Sequence, residues 1–283
     1  MNPQTTVQKS YAALTGLLCA ALAVWIYYPT FVWMYERWDA PDSYFAHGFI
    51  IPIVTAFWIW QKRAVLKQIP KEGSFSGLPL LICGALLQVF ASFFRIYFVS
   101  AFAFVLLLSG AVLMIYGKKV FREIWFPIFF LLLMIPLPLL AISEMTLKLK
   151  FLVTEMAIFT LNKTGIVAHR EGSYIILPNS YLLVGDPCSG LRSFLAFLCL
   201  GFIFAYGGRL SALSKIVLVI AGLPLAILSN LLRVYALGVI SWIYGQEAAG
   251  GKVHDASGIV VFVLAFATFM MIRHKLEAPS VRA

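Results

Sequence analysis

The sequence has few charged residues. Asp, Glu, Lys and Arg make up 12% of its 283 residues, whereas 61% are apolar, and the mean hydropathy is +0.91. In soluble globular domains about a quarter of the residues are charged and about half are apolar. The composition therefore excludes an ordinary soluble domain and predicts a protein that crosses a membrane several times.

Cysteine is also scarce. The four cysteines are Cys19, Cys83, Cys188 and Cys199. None forms a C-x-x-C pair, so the pattern excludes a disulfide framework and a zinc site, and we expect neither a metal nor another cofactor. Three of the four lie inside apolar runs, where a packing role is expected. The sequence has no internal repeat and no low-complexity tract, and we interpret residues 1–283 as a single transmembrane domain.

Apolar runs separated by charged residues, glycine and proline predict an all-α polytopic protein with about eight transmembrane helices. The runs lie near residues 11–28, 47–61, 77–94, 97–116, 124–141, 189–206, 215–243 and 254–272. The first run lacks the small-residue cleavage site of a signal peptide, so we expect it to remain as a helix. Each crossing needs roughly 20 residues, which leaves no length for a sizeable soluble domain.

The positions of lysine and arginine predict the orientation of these helices. The formal net charge is +10, and in a polytopic protein such an excess reports cytoplasmic loops and not a nucleic-acid partner. Thirteen basic residues fall on one side of the predicted membrane and seven on the other. Both termini are therefore predicted to be cytoplasmic.

One long apolar segment, Ser143 to Leu161, is interpreted as not spanning the membrane. Glu144, Lys148, Glu155 and Asn162 recur there at intervals of four and seven residues. This spacing gives one polar face, which is typical of a helix that lies in the membrane interface.

The segment after this helix predicts β-structure. Residues 162–187 alternate between apolar and polar side chains and are rich in turn-forming residues. We expect one or two short β-hairpins on the extracytoplasmic surface, directly before the sixth span.

Ionisable groups at membrane depth are energetically costly and are therefore candidates for a functional site. Arg192 lies one turn into the sixth span, and His254 opens the eighth. Arg233 lies about 18 residues into the seventh span, roughly 27 Å from its cytoplasmic end at 1.5 Å per residue. With this topology, Cys188 and these three side chains reach the outer face at one depth.

The residues around Cys188 indicate a reactive thiol. Asp186 and Pro187 are residues typical of the N-cap and of the first position of a helix, which would place Cys188 in the first helical turn. The positive end of the helix dipole and a nearby arginine would favour the nucleophilic thiolate. Arginine stays protonated in proteins, so it is suited to stabilise the thiolate, a substrate carboxylate or an oxyanion. His254 is the natural proton carrier.

Each candidate also has a purely structural interpretation. A single cysteine in a membrane helix is more often a packing residue, Arg192 can extend to lipid headgroups, and a lone interfacial histidine is more often structural. Arg233 is the hardest to explain structurally, because it shares a helical face with Asn230 and no acidic residue lies near it in sequence. The other histidines, His47, His169 and His274, rank lower.

Several short motifs resemble those of the exosortase/archaeosortase family, and the resemblance extends almost from end to end. The first two are Tyr44 to Pro52 and Phe126 to Pro138. The three core motifs are Cys188-Ser189-Gly190-Leu191-Arg192, Asn230-Leu231-Leu232-Arg233 and His254-Asp255-Ala256-Ser257-Gly258. No motif is specific alone, but their order and spacing together make the resemblance strong.

The resemblance implies a cysteine transpeptidase or protease in the bacterial inner membrane, with its active site at the periplasmic face. Its substrates would be exported proteins with a C-terminal sorting tail: a Pro-Glu-Pro-type (PEP-CTERM) motif, a hydrophobic helix and a basic cluster. Cys188 would be the nucleophile that forms an acyl-thioester. Arg233 would donate a proton or stabilise the substrate, and His254 would be the third member of the site.

Supporting or substrate-binding roles are predicted for Arg192, Asn230 and Asp186. Water or an amine would resolve the acyl-enzyme. Two other classes of function remain open from the residues themselves. One is a transporter or channel with an anion site at Arg192 and Arg233, and the other is an assembly subunit of an exopolysaccharide export system.

Overall fold

The chain folds into nine α-helices and one small sheet over the residues that the computed structural model describes. These are residues 3–41, 43–186 and 189–277, with side chains from residue 16 onward apart from residues 19 and 20. The chain divides into two compact units, Met1–Pro136 and Leu137–Ala283. That residues 1–283 form a single domain stays a prediction.

The first unit contains five helices joined by short connections. They are α1 (Pro3–Asp39), α2 (Ile50–Gln61), α3 (Arg63–Gln68), α4 (Leu78–Phe94) and α5 (Tyr97–Phe130). One-turn 3₁₀ segments precede α2 and α4 and follow α5, at Ala46–Phe49, Phe75–Gly77 and Leu131–Met134. Gly77 and Gly110 let α4 and α5 approach closely, since a Cβ on Gly110 would lie 2.9 Å from the carbonyl oxygen of Gly77. Close contact at small residues is typical of membrane helices.

Helix α5 is broken at Gly117. This glycine has φ 84° and ψ 176°, a conformation that residues with a Cβ rarely adopt. A Cβ at Gly117 would also overlap the carbonyl oxygen of Glu72. The predicted spans 97–116 and 124–141 therefore meet at a kink, with no loop between them. The boundary at residue 141 was wrong, because the helix ends before Pro136 and Leu139 already begins the next one.

The second unit contains four helices and a three-stranded sheet. The helices are α6 (Leu139–Lys163), α7 (Leu191–Gly207), α8 (Ala212–Tyr244) and α9 (Gly251–Glu277). Strands β1 (His169–Glu171), β2 (Tyr174–Leu177) and β3 (Ser180–Leu183) pair antiparallel in the order β1-β2-β3. These two successive hairpins agree with the β-structure predicted before the sixth span.

One face of the sheet packs against the helices. Ile175 pairs with Leu182 across the two strands, and both side chains are buried, whereas Tyr174 and Tyr181 on the opposite face are exposed. This alternation follows from the two-residue period of a strand. The C-terminal end of α8 supports the sheet, because Ser241 donates a hydrogen bond to the carbonyl oxygen of Tyr181 at 3.1 Å.

Helix α8 belongs to two apolar clusters. Its C-terminal part packs with α6 and the inner face of the sheet, in a cluster that includes Val153, Leu161, Ile175, Val234 and Leu237. Its N-terminal part packs with α7 and α9, in a cluster that includes Phe197, Leu218, Ala226, Ala265 and Phe269. The stretch of α8 between these two clusters carries Asn230 and Arg233.

Five helical stretches of the described chain are long and apolar enough to cross a membrane. They are Gly16–Asp39, Phe75–Phe94, Tyr97–Met134, Ala212–Tyr244 and Gly251–Glu277. Two further apolar helices, Ala46–Gln61 and Leu191–Gly207, are shorter. A polytopic, mostly helical protein with a small sheet is thus confirmed, whereas the count of eight spans stays a prediction.

Two residues of the polar face predicted on α6 bind the segment that contains the sheet. Glu155 forms an ion pair with Arg170 of β1 at 2.8 Å. The side-chain amide of Asn162 donates to the carbonyl oxygen of Ala168 at 3.0 Å and accepts from its N–H at 2.9 Å. These two polar residues of α6 therefore act as anchors for the strand segment.

We predict that Gly117→Ala destabilises the protein by about 1–3 kcal/mol, because alanine strains the backbone conformation at the kink. The melting temperature of the detergent-purified protein measures this. Gly16→Ala is the control, since a Cβ there would meet nothing within 4 Å and alanine favours a helix. Equal melting temperatures for the two variants would show that the kink does not require glycine.

Candidate active site

Arg233 of α8 is hydrogen-bonded to the first turns of α9. Its Nη2 donates to the carbonyl oxygen of His254 at 2.8 Å, and its Nε donates to the hydroxyl of Ser257 at 3.3 Å. The guanidinium is partly buried. The structure therefore brings together two of the predicted site residues, Arg233 and His254, through the main chain of His254.

The motif that begins at His254 forms one face of α9. Ser257 and Gly258 follow His254 by three and four residues, which puts all three on the same side of a helix. The hydroxyl of Ser257 donates to the carbonyl oxygen of His254 at 2.7 Å. Gly258 lies directly against the guanidinium carbon of Arg233. Sequence reasoning gave Ser257 and Gly258 no role, although their spacing from His254 was the signal that could have found them.

Asn230 lies one turn before Arg233 and contacts the segment that leads into α7. Its side chain is only 5% exposed. Gly190 packs on it so closely that a Cβ on Gly190 would lie 3.2 Å from the Cβ of Asn230 and 3.3 Å from its Nδ2. Three motifs that are far apart in sequence thus meet on one face of α8, at the start of α7 and at the start of α9.

The prediction that Asp186 is the N-cap of the sixth span was wrong. Helix α7 begins at Leu191, and its N-cap is Gly190 in the left-handed conformation with φ 79°. The N–H of Ser189 donates to the carbonyl oxygen of Asp186 at 3.0 Å. The side-chain oxygen of Asp186 is instead paired with a lysine.

Cys188 and Pro187 lie outside the described residues. Their predicted positions, at the first turn and first residue of a helix, stay predictions. The bounds of α7 do not support a place for these two residues in its first turn, since that helix begins three residues after Cys188.

Lys150 of α6 is a residue near the site that sequence reasoning missed. Its Nζ lies 3.1 Å from Oδ1 of Asp186, and its side chain is only 12% exposed. Neighbouring Lys148 differs, since its side chain is 80% exposed and pairs with Glu144 on the same helix. The sequence could have indicated this, because Lys150 is a charged residue that does not lie on the polar face formed by residues 144, 148, 155 and 162.

The remaining arginine, cysteine and histidine candidates differ in their burial and in the element that carries them. Arg192 is exposed at the second residue of α7. Cys199 is buried, as a packing role requires, but Cys83 is exposed, so packing does not explain it. The lower-ranked histidines are distributed over the chain, with His47 in the 3₁₀ segment Ala46–Phe49, His169 on β1 and His274 in the last turn of α9.

The site places a positively charged guanidinium, that of Arg233, beside the turn of α9 that carries His254. A guanidinium held by a carbonyl and a hydroxyl can stabilise an anion, since charge-assisted hydrogen bonds are strong away from water. Within residues 3–41, 43–186 and 189–277, no group of three or more His, Cys, Asp or Glu side chains could hold a metal ion.

Comparison with known proteins identifies the family. A family model described as transmembrane exosortase matches residues 33–271, a range that includes the three motifs around α8. The chain belongs to the transmembrane exosortase family. No curated protein and no solved structure gives a significant match to it.

We predict that Lys150→Ala loosens the segment before Cys188. Loss of a partly exposed ion pair costs about 0.5–1 kcal/mol, so amide hydrogen exchange of residues 184–186 should rise about two- to fivefold. Exchange followed by mass spectrometry measures this. Lys148→Ala is the matched control and should leave that exchange unchanged, and equal rates in both variants would contradict an anchoring role for Lys150.

Proposed function

We propose that this protein is a membrane-embedded cysteine transpeptidase or protease that cleaves the C-terminal sorting tail of exported proteins through an acyl-thioester on Cys188. Membership of the transmembrane exosortase family supports this proposal. The observation that carries it is the hydrogen bond from Arg233 to the main chain of His254. It joins two of the three proposed catalytic residues across helices that are separate in sequence.

The proposed substrates are themselves membrane-anchored. A tail that contains a hydrophobic helix would insert beside the spans of the enzyme and hold its cleavage motif, of the Pro-Glu-Pro type, at the outer face. Restricting the motif to one depth lowers the entropic cost of bringing it to the nucleophile. Membrane insertion of the tail can therefore replace much of a soluble binding cleft.

The proposed first step is attack of the Cys188 thiolate on the scissile carbonyl carbon. The carbonyl π electrons move to oxygen and give a tetrahedral oxyanion, for which Arg233 is the proposed electrostatic partner. When the oxyanion collapses, the C–N bond breaks and the departing amine takes a proton from the imidazolium of His254. The products of this step are the acyl-thioester and the released tail.

The second step resolves the acyl-enzyme. Water or an acceptor amine attacks the thioester carbonyl and gives up a proton to the now neutral His254, and Cys188 leaves as thiolate. The supporting roles proposed for Asn230, Asp186 and Arg192 are to hold the segments around Cys188 and to contact the substrate. The contact of Asn230 with Gly190 and the pairing of Asp186 with Lys150 favour the first of these roles.

The proposed location is the bacterial inner membrane, with both termini cytoplasmic and the site at the periplasmic face. The excess of lysine and arginine in the predicted cytoplasmic loops supports this orientation. Arg233 is the twenty-second residue of α8, roughly 32 Å along the helix axis from Ala212 at 1.5 Å per residue. That distance approximates the thickness of a bilayer core.

We predict that Cys188→Ala lowers the rate of cleavage of a tail-bearing substrate by about a thousandfold or more, because the nucleophile is lost. Arg233→Ala should lower it by about a hundred- to a thousandfold, since the oxyanion loses its charged partner. Cleavage is measured by co-expression of the substrate and separation of its two fragments.

The matched control is Cys83→Ala, which removes an exposed thiol from the other unit and should cleave at the wild-type rate. All variants must reach the membrane in equal amounts. Full processing by Cys188→Ala would refute the proposed chemistry, and a trapped thioester between Cys188 and the substrate would demonstrate it directly.

We predict that a membrane-impermeant maleimide applied to the periplasmic side modifies Cys188 and blocks processing. The experiment uses a variant in which Cys19, Cys83 and Cys199 are replaced by alanine, so that one thiol remains. Labelling that requires disruption of the inner membrane would place Cys188 on the cytoplasmic side and overturn the proposed topology.

A further inference from the structure

The guanidinium of Arg233 lies against Gly258 of α9. A Cβ built on Gly258 would lie 3.0 Å from Cζ of Arg233, 3.1 Å from Nη2 and 3.3 Å from Nη1. Three atoms at nearly the same distance mean that the plane of the guanidinium faces Gly258. Ordinary contacts between heavy atoms lie at about 3.5–4.0 Å, so any side chain at this position would push the guanidinium away.

The edge of the same guanidinium is held by polar atoms. Nε donates to the hydroxyl of Ser257, and Nη2 donates to the carbonyl oxygen of His254. The Ser257 hydroxyl in turn donates to that same carbonyl oxygen. A hydroxyl is suited to this position because it accepts from Arg233 and donates to His254 at once.

We propose that Ser257 and Gly258 are positioning residues that fix the guanidinium of Arg233 beside His254. Gly258 supports the face of the group, and Ser257 sets the direction of its edge. Neither residue is a catalytic residue, since each acts only through Arg233. The consequence for cleavage rests on the proposed function, whereas the contacts themselves do not.

A hydrogen bond from a helical serine to the carbonyl three residues earlier is common in itself. What distinguishes Ser257 is that the same hydroxyl accepts from an arginine of another helix. Gly258 adds an independent requirement, because glycine is unfavourable inside a helix compared with alanine by about 1 kcal/mol. Its lack of a side chain at the point where the guanidinium lies accounts for its presence in α9.

The test compares Gly258→Ala with Gly250→Ala, and Ser257→Ala with Ser257→Thr. Gly250 is a matched glycine near the start of α9, where a Cβ would lie 3.5 Å from its nearest neighbour, the carbonyl oxygen of Glu247. Threonine keeps the hydroxyl that alanine removes. Ser257→Ala deletes a single oxygen atom, so it tests the proposal even where Gly258→Ala lowers the yield of folded protein.

The first readout is the rate at which phenylglyoxal modifies Arg233 in the purified protein, followed by mass spectrometry of the peptide that contains it. Arg192 of the same molecule is the internal reference. We expect modification of Arg233 to become several-fold faster in Gly258→Ala and Ser257→Ala, and to stay at the wild-type rate in Gly250→Ala and Ser257→Thr. A wild-type rate in both test variants would overturn the proposal.

The second readout is cleavage of a tail-bearing substrate. A misplaced guanidinium should lower kcat by about ten- to a hundredfold with little change in KM, and Ser257→Thr should restore kcat. Faster labelling with an unchanged kcat would overturn the positioning role. If the wild-type protein cleaves no such substrate, the proposed function fails, while the labelling result still decides whether Ser257 and Gly258 hold Arg233.

Discussion

A partly buried guanidinium on a long apolar helix needs hydrogen-bond acceptors from the protein, because an unsatisfied charge away from water is costly. Arg233 meets this constraint on α9, through the carbonyl oxygen of His254 and the hydroxyl of Ser257. The acceptors lie at fixed points of that helix, so the contact also fixes how α8 and α9 align. A shift of one helical turn would remove both acceptors.

The apolar packing around α8 explains why its polar residues lie where they do. Its two ends belong to different clusters, one with α7 and α9 and the other with α6 and the sheet. Ser229 and Asn230 are buried between them, with Arg233 one turn further on. Rigid packing on both sides limits the movement of this short polar stretch.

Some of this arrangement could be predicted from the sequence and some could not. The shared face of Asn230 and Arg233, and the strands before α7, follow from periodicity. The need for glycine at the Gly117 kink could not be predicted, because a Cβ there would overlap the carbonyl oxygen of Glu72, which is far away in sequence. Likewise Asp186 has the residue type of an N-cap, but its carboxylate pairs with Lys150. The N-cap of α7 is instead Gly190, which packs on Asn230.

Helix α7 begins later than the sequence predicted, and this moves the positive end of its dipole to Leu191. The positive end of a helix dipole lies at its first turn, which in α7 begins at Leu191, beside Ser189 and Gly190. Because Gly190 packs on Asn230, this positive end lies one turn of α8 from Arg233. The field at the site therefore has two sources on two helices, a dipole and a full charge. An anion formed between α7 and α9 would be stabilised by both, and this requires Gly190 to remain in contact with α8.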